Sequence, residues 1–183
     1  MLYSRFHFLF FALSLILAFS CHPDPPCEEG YVVPSSSDTS PPQVEWWVTD
    51  FVMTPSGPIS SLTIYGDGEE VHVSPESEVS VQLVARDEES GITVVSLQGG
   101  FSWSCMQSAG SLLIVDGIIP EQTQHFDVSS CACVPVEGET TVELIQPDCG
   151  TNVFDGAGYG LSGSATNGTG LTTTAELTVV VDP

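Results

Sequence analysis

Acidic side chains are the most obvious chemical groups in this sequence, and they cluster at two predicted turns. Asp87, Glu88 and Glu89 are consecutive, and a second acidic group falls within residues 67–70. Carboxylate oxygens are the ligands that Ca²⁺ prefers, so the consecutive acids are the candidate calcium ligands. The chain has no Asp-x-Asp calcium loop and no nonapeptide repeat. Because charge runs usually form a solvated surface, we expect solvated carboxylates and keep calcium binding as the alternative.

Cysteine and histidine offer a second possible chemistry near residue 130. Cys131 and Cys133 flank one alanine, and His125 lies nearby, a combination that suits zinc or cuprous copper. One such pair without a second paired cluster is a weak metal signal, and disulfides are the expected alternative. Residues 131 and 133 point the same way on a strand, so each should meet a different distant partner. We expect Cys105 to pair with Cys131, and Cys133 with Cys149.

No catalytic group is expected. His125, Asp127 and Ser129 alternate along one predicted strand, but strand residues two apart are separated by about 6.6 Å, too far for a catalytic triad. The chain also lacks a nucleophile elbow. The sequence therefore predicts a protein that is not an enzyme, with no cofactor.

Two adjacent tryptophans could recognise a sugar. Trp46 and Trp47 face opposite sides of a strand, so one of them could present its ring on a sheet surface. Large aromatic side chains are mostly interior or at interfaces, so we expect both rings to be covered. Carbohydrate binding through an exposed tryptophan stays as the alternative.

The charge balance excludes one large class of partners. The chain has 24 Asp plus Glu against 2 Lys plus Arg, for a formal net charge of -22. A field of this sign repels phosphate backbones and anionic lipid headgroups, so neither nucleic acid nor a bare membrane surface is an expected partner. An unknown protein or glycan is the expected ligand.

The N-terminus predicts export. Residues 1–20 carry one arginine and an apolar core too short for a transmembrane helix. Cys21, directly after that core, resembles the lipobox cysteine of bacterial lipoproteins, and by that resemblance it would be a lipid anchor in the cell envelope. Ordinary signal peptidase cleavage, giving a secreted soluble protein with six cysteines to pair, is the alternative. Residues 21–43 are rich in Pro, Ser and acids and predict a disordered tether.

The remaining chain, residues 44–183, predicts one all-β domain. Apolar residues alternate along residues 79–85 and again along 95–105, which predicts two strands joined by the acidic turn. We expect the apolar parity of both runs to be buried together, with Cys105 bridged beside it. Leu161 to Val181 predicts a closing hairpin that turns at Asn167-Gly168-Thr169-Gly170, where Asn-Gly is the tight-turn signal. About ten short strands at this spacing favour a mostly antiparallel β-sandwich.

Two segments are similar to a known family. VSVQLVARDEESGITVVSL and YGLSGSATNGTGLTTTAELTVVV resemble the corner strands and last hairpin of bacterial extracellular immunoglobulin-like domains. The resemblance implies an immunoglobulin-like sandwich in which Trp103 packs against a disulfide. Together with the export signal, the lipobox-like Cys21 and the lack of a catalytic motif, this predicts an exported, non-catalytic, surface-anchored module with a structural or interaction role. The alternatives are a carbohydrate-binding module and a calcium-dependent adhesive module.

Overall fold

A computed structural model describes residues 27–126 and 133–183, and every described element is a β-strand. The predicted signal segment, Cys21, Asp127, Ser129 and Cys131 lie outside these residues. Within the two described ranges, no helix is long and apolar enough to cross a membrane. The prediction of an all-β chain is confirmed for this part of the protein.

Eleven strands run through the described residues. They are β1 (Tyr31–Val32), β2 (Gln43–Thr54), β3 (Gly57–Tyr65), β4 (Glu69–Val73), β5 (Glu78–Arg86), β6 (Ile92–Met106), β7 (Leu112–His125), β8 (Val134–Pro135), β9 (Glu137–Glu143), β10 (Val153–Asn167) and β11 (Thr172–Val181). One sheet has the order β3-β2-β5-β9, and a second has the order β4-β11-β10-β6-β7. The short strands β1 and β8 form a separate antiparallel pair. All neighbours are antiparallel except β4 and β11, which are parallel.

The two large sheets share one hydrophobic core. Trp46 and Leu83 of the four-stranded sheet belong to the same cluster as Leu97, Tyr159 and Leu177 of the five-stranded sheet. All five side chains are essentially inaccessible to solvent. The apolar faces of the two sheets therefore pack against each other, as in a sandwich-like structure.

A glycine marks a point of close approach between the layers. A Cβ atom added at Gly163 of β10 would lie 2.5 Å from Leu83 Cδ2 and 3.0 Å from Trp46. Any larger residue would therefore have to displace the central side chains of the opposite sheet.

The two alternating runs behave as predicted, but they do not form a hairpin. β5 belongs to the four-stranded sheet and β6 to the five-stranded sheet, so the acidic turn carries the chain from one layer to the other. Phe101 is half-buried and stacks on Trp103 with ring centroids 4.8 Å apart. The other predicted core residues are buried, which confirms the period-two prediction: Val79, Val81, Leu83, Ala85, Val95, Leu97, Trp103 and Cys105.

The segment expected to be a tether is attached to the domain over residues 27–43. Cys27 is bonded to Cys133, β1 pairs with β8, and Asp38 is buried at 7% exposure. The tether prediction is therefore corrected for these residues. Composition indicated disorder, but a disulfide and buried hydrogen bonds offset the entropy lost on ordering this segment.

The disulfide pairing also differs from the expectation. The bonds are Cys27–Cys133, with Cα atoms 5.8 Å apart, and Cys105–Cys149, with Cα atoms 5.6 Å apart. The expected pairs Cys105–Cys131 and Cys133–Cys149 are wrong, because only cysteines with Cα atoms closer than about 7 Å can bond and the fold places other partners there. Disulfides of this kind are typical of an oxidising, extracellular compartment.

Candidate functional site

The acidic turn after β5 is held by its own carboxylate. Asp87 is 8% exposed, and its Oδ1 accepts hydrogen bonds from the backbone N–H groups of Glu89 at 3.0 Å and Ser90 at 2.8 Å. The backbone N–H of Asp87 donates to the carbonyl of Val136 at 2.8 Å. This carboxylate therefore shapes the crossover between the two layers, which is a structural role.

Asn167, at the end of β10, joins this turn to the N-terminal segment. Its Nδ2 lies 2.9 Å from Asp87 Oδ2, 3.2 Å from Asp38 Oδ2 and 3.1 Å from the carbonyl oxygen of Ser40, so these three acceptors share its two hydrogens. Ser90 donates its hydroxyl to the same oxygen of Asp38 at 2.5 Å. The Ser90 hydroxyl, and after it the backbone N–H of Ser40, lower the pKa of Asp38 below its ordinary value. Two buried carboxylates thus share one amide donor group.

The other end of the Asn167 amide shapes the last hairpin. Its Oδ1 accepts hydrogen bonds from Thr169 N, Thr169 Oγ1 and Leu171 N at 3.1, 2.8 and 2.9 Å. The hairpin turns within the predicted residues 167–170: Gly170 has φ +85° and donates its backbone N–H to the carbonyl of Asn167. Asn167 is only 1% exposed, so the Asn-x-Thr glycosylation sequence here presents no accessible side chain in the folded protein.

Gly168 shows how closely the N-terminal segment packs on this hairpin. A Cβ atom at this position would lie 2.3 Å from the carbonyl oxygen of Ser90 and 2.6 Å from Pro34. The polar end of the sandwich, defined here as Asp38, Asp87, Ser90 and Asn167, is therefore a packed structure that leaves no room for a larger side chain.

A cleft of about 350 Å³ opens beside the polar end. Its walls are Asp38, Ser40, Pro41, Gln43, Arg86, Asp87, Glu88 and Glu89. Arg86 Nη2 makes an ion pair at 2.6 Å with Glu137 of β9, so its charge is partnered outside the acidic turn.

The calcium hypothesis gains no support from this arrangement. Asp87 already accepts three hydrogen bonds, whereas Glu88 and Glu89 are exposed. Across residues 27–126 and 133–183, no three His, Cys, Asp or Glu side chains are grouped so that they could hold a metal ion. The carboxylate of Asp87 is thus engaged mainly in shaping the turn.

The remaining chemistry-bearing residues are dispersed. His125 is exposed at the end of β7, and the sulfur of Cys133 is bonded to Cys27, so it cannot act as a thiolate ligand. The other members of the triad and of the metal pair, Asp127, Ser129 and Cys131, lie outside the described residues. The structure therefore brings together neither a triad nor a thiolate site among the residues it describes.

The two tryptophans separate as adjacent strand residues must. Trp46 is completely buried, whereas Trp47 is half-buried on the outer face of the four-stranded sheet. Its cross-strand neighbours are Ile64 and Gln82, and its ring N–H donates to Glu45 at 3.4 Å. Only Trp47 can therefore contact a ligand without unfolding.

The outer face of the five-stranded sheet carries an apolar groove. Ser102 and Ser104 of β6 and Gly156 and Gly158 of β10 form its floor, and β7 forms one wall. The groove is shallow and open to solvent, with a volume of about 370 Å³, because glycine and serine leave the outer surface of two neighbouring strands nearly without side chains.

The wall of this groove is apolar and exposed. Leu112 is 50% exposed and Ile114 is 57% exposed, and both line the groove. Sequence reasoning missed this surface. The available signal was that β7 carries apolar residues on both parities, while the outer parity of β6 and β10 is mostly Gly and Ser.

Comparison of the sequence with models of known protein families finds no family that matches, and comparison with curated proteins finds no significant relative.

Proposed function

We propose that this chain is an exported, non-catalytic, surface-anchored immunoglobulin-like module with a structural or interaction role. One observation carries the interaction role: exposed apolar side chains line a groove on the outer face of a disulfide-linked β structure. Contiguous exposed apolar surface on a stable domain is typical of an interaction site. The disulfides support export, because they persist in oxidising compartments.

Three features support the immunoglobulin-like part of the proposal. The parallel pairing of β4 with β11 at one edge, beside β10, β6 and β7, is the order expected for the front sheet of such a domain. Trp103 lies two residues from the bonded Cys105 on the same strand parity. Tyr159 of β10 donates its hydroxyl to the backbone carbonyl of Ile145, an arrangement similar to a tyrosine corner.

The anchor would lie close to the domain. Five residues, 22–26, separate Cys21 from the bonded Cys27. Since a chain advances at most about 3.6 Å per residue, a lipid on Cys21 would hold the domain within about 20 Å of the bilayer surface. Such a short connection favours a module that works at the surface of the envelope over one that reaches far from it.

Detergent partitioning tests this proposal. The wild-type protein should partition into the detergent phase with the added mass of its lipid, and Cys21→Ser should remain in the aqueous phase without it. Cys27→Ser is a second variant: it loses the Cys27–Cys133 bond but keeps Cys21, so it should still carry the lipid mass and enter the detergent phase. A wild-type protein that stays aqueous and carries no lipid mass would overturn the anchor and leave a secreted soluble module.

A carbohydrate-binding role is the second candidate, and Trp47 is the observation that favours it. Its half-exposed ring lies beside Gln82 and Glu45, and an aromatic face next to polar side chains is suited to stacking on a sugar ring. Glycan binding that is lost in Trp47→Ala and retained in Phe51→Ala, a nearby exposed aromatic on the same strand, would support it. Binding that both variants retain would remove this face from sugar recognition.

A further inference from the structure

We propose that the groove on the outer face of the five-stranded sheet binds an arginine or lysine side chain presented by an extended segment of a partner protein. This inference deepens the interaction role proposed above and depends on it. The groove is bounded on one side by Leu112 and Ile114 and is floored by Ser102, Ser104 and Gly158. Its apolar wall suits the methylene stem of a long basic side chain.

Two carboxylates lie where the head of that side chain would be. Asp155 Oδ2 accepts a hydrogen bond at 3.3 Å from Ser104, a floor residue. Asp116 of β7 is directly opposite Ser102, the other serine of the floor. Both aspartates are exposed. An apolar wall with one carboxylate on each side of the serine floor matches a guanidinium or ammonium group on an aliphatic stem.

No cation of the described chain neutralises these carboxylates. Arg86 is the only Lys or Arg within residues 27–126 and 133–183, and it is paired with Glu137. None of the ion pairs in these ranges includes Asp116 or Asp155. The charge of the groove is therefore available to a partner.

Charge also decides between a second copy of this chain and a different partner. The formal net charge of -22 makes two copies repel each other, and burying the two aspartates against another acidic surface would be unfavourable. The same negative field attracts a basic segment. The groove therefore favours a basic segment of another protein over self-association.

The fold supplies a way to fill the groove without disturbing the core. A Cβ atom added at Gly158 would meet nothing within 4 Å, and its backbone is not among the positive-φ glycines. Gly158→Leu should therefore fold normally and occupy the groove with its own side chain. Ile114→Thr is a second variant, since it shortens one of the two wall side chains at a residue that is 57% exposed.

The experiment uses the exported protein and a short peptide, acetyl-Gly-Thr-Val-Arg-Val-Thr-Gly-amide. Binding is followed by amide chemical shifts of ¹⁵N-labelled protein, and the largest shifts should fall on residues 102–104, 114–116 and 155–158. A peptide with citrulline in place of arginine keeps the shape and removes the charge. It should bind about tenfold more weakly or not at all.

The variants separate the groove from the general acidity of the protein. Gly158→Leu and Ile114→Thr should each weaken binding by at least about fivefold. Asp116→Asn should weaken it by about two- to fivefold, as expected for one exposed ion pair. Glu76→Gln is the matched control, because it removes the same charge in the turn between β4 and β5, outside the groove, and should change nothing.

Several results would overturn the inference. One is that the wild-type protein shows no detectable binding of the arginine peptide. A second is unchanged binding in both Gly158→Leu and Ile114→Thr, and a third is an equal loss in Glu76→Gln and Asp116→Asn. If the protein carries no lipid but binds the peptide in the groove, the anchor is rejected and this inference stands. If the protein carries the lipid but binds no peptide, the anchor stands and this inference is rejected.

Discussion

Replacing Asn167 with alanine should be among the most destabilising single changes in this protein. The two hydrogens of Nδ2 are shared among three acceptors, Oδ1 accepts three hydrogen bonds, and the residue is 1% exposed. Truncation leaves the carboxylates of Asp38 and Asp87 buried without their shared donor. It also leaves the N–H of Leu171 without its side-chain acceptor.

The magnitude follows from what becomes unsatisfied. A hydrogen bond to a charged group contributes about 1.5–3 kcal/mol, and a buried polar group without a partner costs about 1–3 kcal/mol. The losses overlap, so we expect the free energy of unfolding to fall by about 3–5 kcal/mol. For a domain of this size, that corresponds to a decrease in melting temperature of about 10 °C or more.

Denaturant unfolding followed by tryptophan fluorescence, with the disulfides intact, measures this effect. Asn152→Ala is the matched control, because Asn152 is half-buried in a loop and only its backbone N–H makes a hydrogen bond there. It should change the free energy of unfolding by less than about 0.5 kcal/mol. A loss below about 1 kcal/mol in Asn167→Ala would show that the polar end is not a stabilising network, and the account given for Asp38 and Asp87 would fail.

Three further predictions concern pH, the N-terminal disulfide and the core. The carboxylate of Asp182, followed by that of Glu70, raises the pKa of His72 above its ordinary value. The stabilisation from the charged ring is therefore complete below the ordinary pKa of histidine and is lost as the pH rises through the raised pKa. An NMR titration in which Asp182→Asn leaves the pKa of His72 unchanged would contradict this. Cys27→Ser should lower the free energy of unfolding by about 2–5 kcal/mol, because the bond joins residues 106 apart in sequence, and an unaltered denaturation midpoint would argue against the bond. Trp46→Ala should cost about 3–5 kcal/mol, and an equal loss in Trp47→Ala would show that the two faces of β2 are wrongly assigned.

The period-two pattern predicted much of the core because strand alternation is local. Val81 and Leu83 are buried as their spacing requires, and so are Val95 and Leu97. Which sheet each strand joins depends on contacts between distant residues, so the pattern could not show that β5 and β6 lie in different layers.

The candidate site was less predictable than the fold. Three consecutive acids look alike in sequence, yet Asp87 is buried and hydrogen-bonded whereas Glu88 and Glu89 are exposed. The difference comes from Asn167, which lies 80 residues away in sequence and donates to Asp87. A pattern of charge cannot show which carboxylate has a donor.

By itself, the sequence determined the acidic charge, the all-β character and the buried parity of the main strands. Each of these follows from composition or from relations between neighbouring residues. Only the tertiary structure decided the partners of Cys27 and Cys105, the burial of Asp38 and the groove beside Ile114. Disulfides, hydrogen bonds between segments and surface grooves depend on distances between residues far apart in the chain, and those distances exist only once the two sheets have packed.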